Sequence, residues 1–130
     1  MPPLTIGINH VTVSTADLDR MVTFYDTVFE AAKVFEGPAA DGYPRMAIVE
    51  LGSTRYVKVV EDGGAPSVPG TERFGVAVDS RAELRTLRER MLAAGAEPGE
   101  IVRLPTQWVM TVRDPDGALV QVCAHAQPGD

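Results

Sequence analysis

The stretch Ile6-Gly7-Ile8-Asn9-His10-Val11-Thr12-Val13-Ser14-Thr15-Ala16-Asp17 alternates apolar and polar residues and then halts on a helix-starting cluster. Alternation of period two predicts a strand over Ile6–Ser14, with Val11 and Val13 on one face and Ile8, His10, Thr12 and Ser14 on the other. Ser14-Thr15-Ala16-Asp17, with an acid three residues after a serine, resembles a capping box. Sixty-three residues further on the same plan returns. Phe74, Val76 and Val78 alternate, and Ser80-Arg81-Ala82-Glu83 forms a well-made capping box.

Outward from these two starts the halves stay parallel. Leu18, Met21, Val22, Tyr25, Val28 and Phe29 recur at three-and-four spacing and predict an amphipathic helix of about four turns. Gly37-Pro38 and Asp41-Gly42 break the pattern. Met46–Leu51 and Tyr56–Glu61 then read as strands joined across Gly52-Ser53. In the second half Leu84, Leu87, Met91 and Leu92 make the apolar side of a helix that Gly95 closes. Strands follow at Ile101–Leu104, Gln107–Arg113 and Ala118–Ala124, the last two joined by the turn Asp114-Pro115-Asp116-Gly117. The fold expected is α+β: two tandem βαβββ repeats forming a curved mixed sheet around a cavity. The modules span 6–61 and 72–124, with a linker at 62–71, in one compact domain overall. Each sheet would carry a helix on one face. The other face of the first holds His10, Thr12, Tyr56 and Lys58, a mixed set that suits a lined concavity.

Bulk properties narrow the function. A chain of 130 residues, 45% apolar and 23% charged, has the make-up of an ordinary globular domain. A net charge of −6 argues against nucleic acid, whose phosphates demand a basic face. No stretch approaches the roughly 20 apolar residues of a membrane span, and Met1-Pro2-Pro3-Leu4 lacks the start of a signal peptide. A single cysteine, Cys123, suits a reducing cytoplasm, the expected location, and reads as a small buried hydrophobe.

Ile8-Asn9-His10-Val11-Thr12-Val13 followed by Asp17-Leu18-Asp19-Arg20 and Phe24-Tyr25 forms one motif, and Arg113-Asp114-Pro115-Asp116-Gly117-Ala118-Leu119-Val120-Gln121 a second. Together they resemble the vicinal oxygen chelate superfamily of glyoxalase I, extradiol dioxygenases, methylmalonyl-CoA epimerase, and bleomycin and fosfomycin resistance proteins. The likeness runs from Ile6 to Ala124. It implies a homodimer and a site shared by matched positions of the two repeats. In metal-using members a His on the first strand joins a Glu, Gln or His on the fourth, a His opening the second repeat and a Glu on the last strand. Carried over, these become His10, Lys58, Arg73 and Gln121. Glu30 stands where the family usually ends its first helix with Gly.

That set argues against a metal, and no cofactor is expected. A divalent ion wants neutral imidazole, carboxylate or carbonyl oxygen. Arg73 stays protonated and cannot ligate, and Lys58 would first have to lose its proton. Two cations within about 5 Å of a dication add several kcal/mol of repulsion even at an effective dielectric near 20. The fallback ligands are His10 and Gln121, with Glu50 or Glu61 able to rescue a site if the fourth-strand register slips. Without a metal, Arg73 suits a bidentate carboxylate or phosphate contact and Lys58 a point-charge contact. His10 then suits a donor or general base. Trp108 and Met110, with Tyr56, offer a groove that could stack a flat ligand, unless Trp108 is core beneath the helices.

The function expected is metal-independent binding of a small molecule between the repeats, at Tyr56, Lys58, Arg73, Trp108, Met110 and Gln121. The rival is a lyase, isomerase or dioxygenase using His10 with a metal or as acid and base. A scaffold whose cavity is filled by its own side chains is the third reading.

Overall fold

A computed structural model describes residues 3–40, 42–62 and 72–130, apart from the side chains of 72 and 73. In chain order the elements are β1 (His10–Thr15), α1 (Leu18–Phe29), β2 (Lys33–Gly37), β3 (Arg45–Gly52), β4 (Arg55–Glu61), β5 (Glu72–Ala77), α2 (Arg81–Ala93), β6 (Val102–Arg103), β7 (Gln107–Arg113) and β8 (Leu119–His125). They form two four-stranded mixed sheets, ordered β1-β4-β3-β2 and β5-β8-β7-β6, one for each expected repeat. The chain divides into two compact units, with β1 to β4 in one and β5 to β8 in the other. Except for Asp62, the expected linker lies outside the described residues.

In the first sheet β1 runs parallel to β4, and β3 runs antiparallel to both β4 and β2. Val13, Ala47, Val49, Val57 and Val59 are buried on one face. That face also carries Arg45, whose Nη2 lies 2.8 Å from Asp19 Oδ1 on α1, and Glu61, whose Oε2 accepts from Leu18 N at 2.8 Å. It is therefore the helix side, where Leu18, Met21 and Tyr25 are wholly buried. β1 starts at His10 rather than Ile6 because β4 gives no partner further back. There the chain is held by Tyr56 N bonding Asn9 O at 2.9 Å and Arg55 Nη2 bonding Ile6 O at 2.7 Å.

The N-cap of α1 is Asp17, not Ser14. Asp17 is extended (φ −138°, ψ 94°) and its Oδ1 accepts from Arg20 N at 3.1 Å. Alternation sends Ser14 to the opposite face, where its hydroxyl donates to Asp62 Oδ2 at 3.0 Å. The helix ends at Glu30 in the left-handed region (φ 56°, ψ 31°), a conformation that favours glycine.

The second unit repeats these devices. Ser80 caps α2, its Oγ accepting from Glu83 N at 3.2 Å, and Gly95 follows the helix at φ 84°. Leu84 and Met91 are buried beneath α2 with Val120, Val122 and Ala124 of β8. Asp114 Oδ1 closes the β7–β8 turn by accepting from Asp116 N at 2.9 Å and Ala118 N at 3.1 Å.

The internal repeat survives at the level of register. Adding 63 to either member of Val11↔Val57, Thr12↔Lys58, Val13↔Val59 or Ser14↔Val60 gives Phe74↔Val120, Gly75↔Gln121, Val76↔Val122 or Ala77↔Cys123. The β3–β4 pairs map onto the β7–β8 pairs by the same shift. It breaks at the start of β5, where Glu72 rather than residue 73 faces Leu119, and at the outer strand, where Met46 faces Gly37 but Val109 faces Val102, two residues later than the shift requires.

Candidate functional site

Register places the side chains of the first sheet's open face, away from α1, in transverse rows. His10, Tyr56 and Glu50 make one row, then Thr12, Lys58, Ile48 and Phe35, then Ser14, Val60 and Met46. Phe35 is 55% exposed, so this face offers apolar surface to a partner or ligand.

His10 is oriented by a chain that sequence reasoning missed. Asn9 Nδ2 donates to Thr54 O at 3.0 Å, which leaves Asn9 Oδ1 facing His10 Nδ1 at 3.2 Å. An amide oxygen only accepts, so His10 Nδ1 is the protonated nitrogen, and neutral His10 carries its lone pair on Nε2. The sequence signal was present as the Asn-His pair entering a strand. Its partner Thr54, at φ 54° in the β3–β4 turn, is far away in sequence.

Lys58 lies partly covered between Thr12 and Ile48, and among the described residues no carboxylate oxygen comes within 4.0 Å of it. Glu50 stands diagonally from it beside Tyr56. Glu61 belongs to the helix side.

In the second sheet, Gln121 lies on the open face opposite Gly75 and Thr111, and its Oε1 accepts from Cys123 Sγ at 3.6 Å. Cys123 is half-buried on this face, not in the core. Arg73 lies on β5 next to a register shift, and its side chain is outside what is described. Trp108 and Met110 pair with Ala124 and Val122, so they lie on the α2 side, opposite Gln121. The structure does not bring them onto Gln121's face. The Arg81 guanidinium sits 3.9 Å from the Trp108 ring centroid and that of Arg103 5.4 Å. Trp108 Nε1 donates to Asp130 Oδ2 at 3.0 Å. The backbone bond from Gln127, then that from Trp108, then the two guanidinium charges hold the Asp130 carboxyl below its ordinary value. Along the outer edge of β7, an open depression of about 530 Å³ is lined by Gly95, Gly99, Thr111, Arg113 and Leu119.

A family model described as Glyoxalase/Bleomycin resistance protein/Dioxygenase superfamily matches residues 7–122. The chain belongs to this superfamily. Its fold is shared by the glyoxylase/bleomycin resistance protein/dioxygenase domain from Frankia sp. EAN1pec, at TM-score 0.79 and 23% identity, covering 97% of this chain and 96% of that one. TnmS3, an antibiotic binding protein from Streptomyces sp. CB03234, matches at TM-score 0.75 and 16% identity over 96% and 100%. A mutant of the fosfomycin resistance protein FosX from Listeria monocytogenes, complexed with Mn(II) and 1S,2S-dihydroxypropylphosphonic acid, matches at 0.70 and 17% over 92% and 90%. At these identities the likeness is one of fold. No curated protein shows a significant match to the sequence.

The glyoxalase superfamily's metal positions can now be tested against the observed donors. The β1–β4 register fixes Lys58, not Glu61, on the open face, since Glu61 is consumed by Leu18 N and lies 3.9 Å from Arg45. Glu50 is separated from His10 by the whole of β4. Among the described residues no three His, Cys, Asp or Glu side chains converge. Imidazole and a neutral amide are the only donors at the four positions. Within the first sheet the two carried-over positions present one imidazole and one ammonium, and a protonated ammonium cannot ligate a divalent ion.

Proposed function

We propose that this member of the superfamily is a metal-independent small-molecule binding protein, holding an organic ligand at the open face of its repeats. The observation that carries the reading is Lys58, an ammonium at a chelating position, in register with Thr12 and Ile48 on a partly apolar face. A cation there repels metal ions and attracts organic anions. The binding set is Tyr56, Lys58, Arg73 and Gln121. Trp108 and Met110 would act only from behind the second sheet. A homodimer, cytoplasmic in location, completes the reading, and light scattering measures its mass.

One observation favours the rival. The Thr54–Asn9–His10 chain presents a basic Nε2, which is what a general base needs. In that reading His10 removes a proton from a bound substrate, and a lyase or isomerase results.

Thermal-shift screening in EDTA tests the metal-independent reading, and turnover of any ligand so found tests the rival. Aromatic antibiotics and short acyl or phosphorylated acids are each tested with and without Mn(II), Ni(II) or Zn(II). Binding at a hundredfold excess over Kd stabilises by about 2.7 kcal/mol, a rise of several degrees. The expected result is stabilisation in EDTA that His10→Ala leaves intact. Stabilisation that requires the metal and vanishes in His10→Ala overturns the proposal.

A further inference from the structure

The chain has two lysines, and their surroundings differ. Lys33 Nζ is bonded to Glu36 Oε1 at 2.9 Å. The strand-borne arginines of the same sheet are also engaged, Arg45 with Asp19 at 2.8 Å and Arg55 with Ile6 O at 2.7 Å. Lys58 alone of these four has no carboxylate or carbonyl partner among the described residues, although the chain carries a net charge of −6. Its lateral neighbours are Thr12 and Ile48, and its neighbours along β4 are Tyr56 and Val60. Glu50 is the one carboxylate on the open face carried by the strands of this sheet, and it stands in the row of His10 and Tyr56. Asp62, just past β4, accepts from Ser14. On the same face Ile48, Met46, Val60 and the half-exposed Phe35 form an apolar field beside the ammonium.

An ammonium partly covered by apolar neighbours and lacking a counter-charge is better solvated by a bound anion than by the face around it. We propose that the ligand is an organic acid, its single carboxylate, sulfonate or phenolate held by Lys58 Nζ and its apolar body lying over Ile48, Met46 and Phe35. This rests on the reading of the open face as a ligand site, and it adds the chemical class. Thr12 supplies a hydroxyl beside the anion, and Tyr56 an aromatic wall on the next row.

Two probes with a common chromophore test it. 1-Anilinonaphthalene-8-sulfonate carries the charge, and N-phenyl-1-naphthylamine is its uncharged counterpart. Both are titrated by fluorescence in EDTA against wild type, Lys58→Met, Lys58→Arg and Ile48→Asp, with near-ultraviolet circular dichroism verifying that each variant is folded. A charge-assisted contact corresponds to about tenfold to a hundredfold in affinity. The expected result is a loss of at least about tenfold for the sulfonate in Lys58→Met, with the neutral probe changed less than about twofold. Lys58→Arg should retain the sulfonate, and Ile48→Asp should weaken both probes. If both probes bind wild type but Lys58→Met changes neither, or both alike, the anionic class is wrong while the open face still holds ligands. If neither probe binds wild type, both this inference and the reading beneath it fall.

Discussion

At the scale of single residues, the orientation of His10 is the sharpest claim. Thr54 O takes the Asn9 amide proton, so Asn9 Oδ1 takes the His10 Nδ1 proton and Nε2 is left to accept. Nitrogen-15 shifts of neutral His10 should show the Nδ1–H tautomer, and Asn9→Ala should restore the mixture of a free imidazole. An Nε2–H tautomer in the wild type would refute this orientation. A second residue-scale expectation concerns acid stability. The hydrogen bond from Arg45 holds the Asp19 carboxyl below its ordinary value, and the bond from Lys33 does the same for Glu36. Groups depressed in the folded state stabilise it above the ordinary carboxylate range and lose that contribution as pH falls through their folded values. The melting temperature should therefore drop more steeply from about pH 6 to about pH 3 in wild type than in Arg45→Met. Both pairs are exposed, so salt should shrink the difference. Equal slopes would show that the Arg45–Asp19 pair contributes nothing. Strand period revealed that Trp108 and Met110 share a face, but not which face the helix covers. Arg81 and Leu84, brought over that face by α2, decide the matter, and their placement depends on packing between elements distant in sequence.

At the scale of elements, both helices and seven of the eight strands are legible in the sequence because hydrophobic period and turn residues agree there. β2 is not legible in this way, since Lys33-Val34-Phe35-Glu36-Gly37 lacks clean alternation and its pairing with β3 shifts register between Lys33 and Phe35. The start of α1 was misplaced because Ser14 and Asp17 are both good caps, and only the pairing of Ser14 with Val60 commits Ser14 to the strand. The end of α1 holds a correctable strain. Glu30 at φ 56° bears a Cβ in a conformation that favours glycine. Glu30→Gly should stabilise the chain by about 1 kcal/mol or less, read from the midpoint of urea denaturation. A destabilised Glu30→Gly would mean that the Glu30 side chain's own interactions outweigh the backbone strain.

At the scale of the whole molecule, a constant shift of 63 residues relates the strand pairs of the two sheets, so the duplication seen in the sequence is the organising rule of the fold. The same shift pairs His10 with Arg73 and Lys58 with Gln121, which is why the four candidate positions could be named before any coordinates. What they hold was less legible, because register slips of one hairpin would have swapped Lys58 for a carboxylate. The observed β1–β4 pairing removes that ambiguity and commits Glu61 to the helix side. Belonging to a superfamily with metal-using members makes the departure in donor chemistry the central claim. Its most direct test is the metal content of protein purified without chelator, measured on wild type and His10→Ala. The expected result is far less than one Mn, Fe, Ni or Zn per chain in both proteins. One tightly held ion per chain in wild type, lost in His10→Ala, would contradict it.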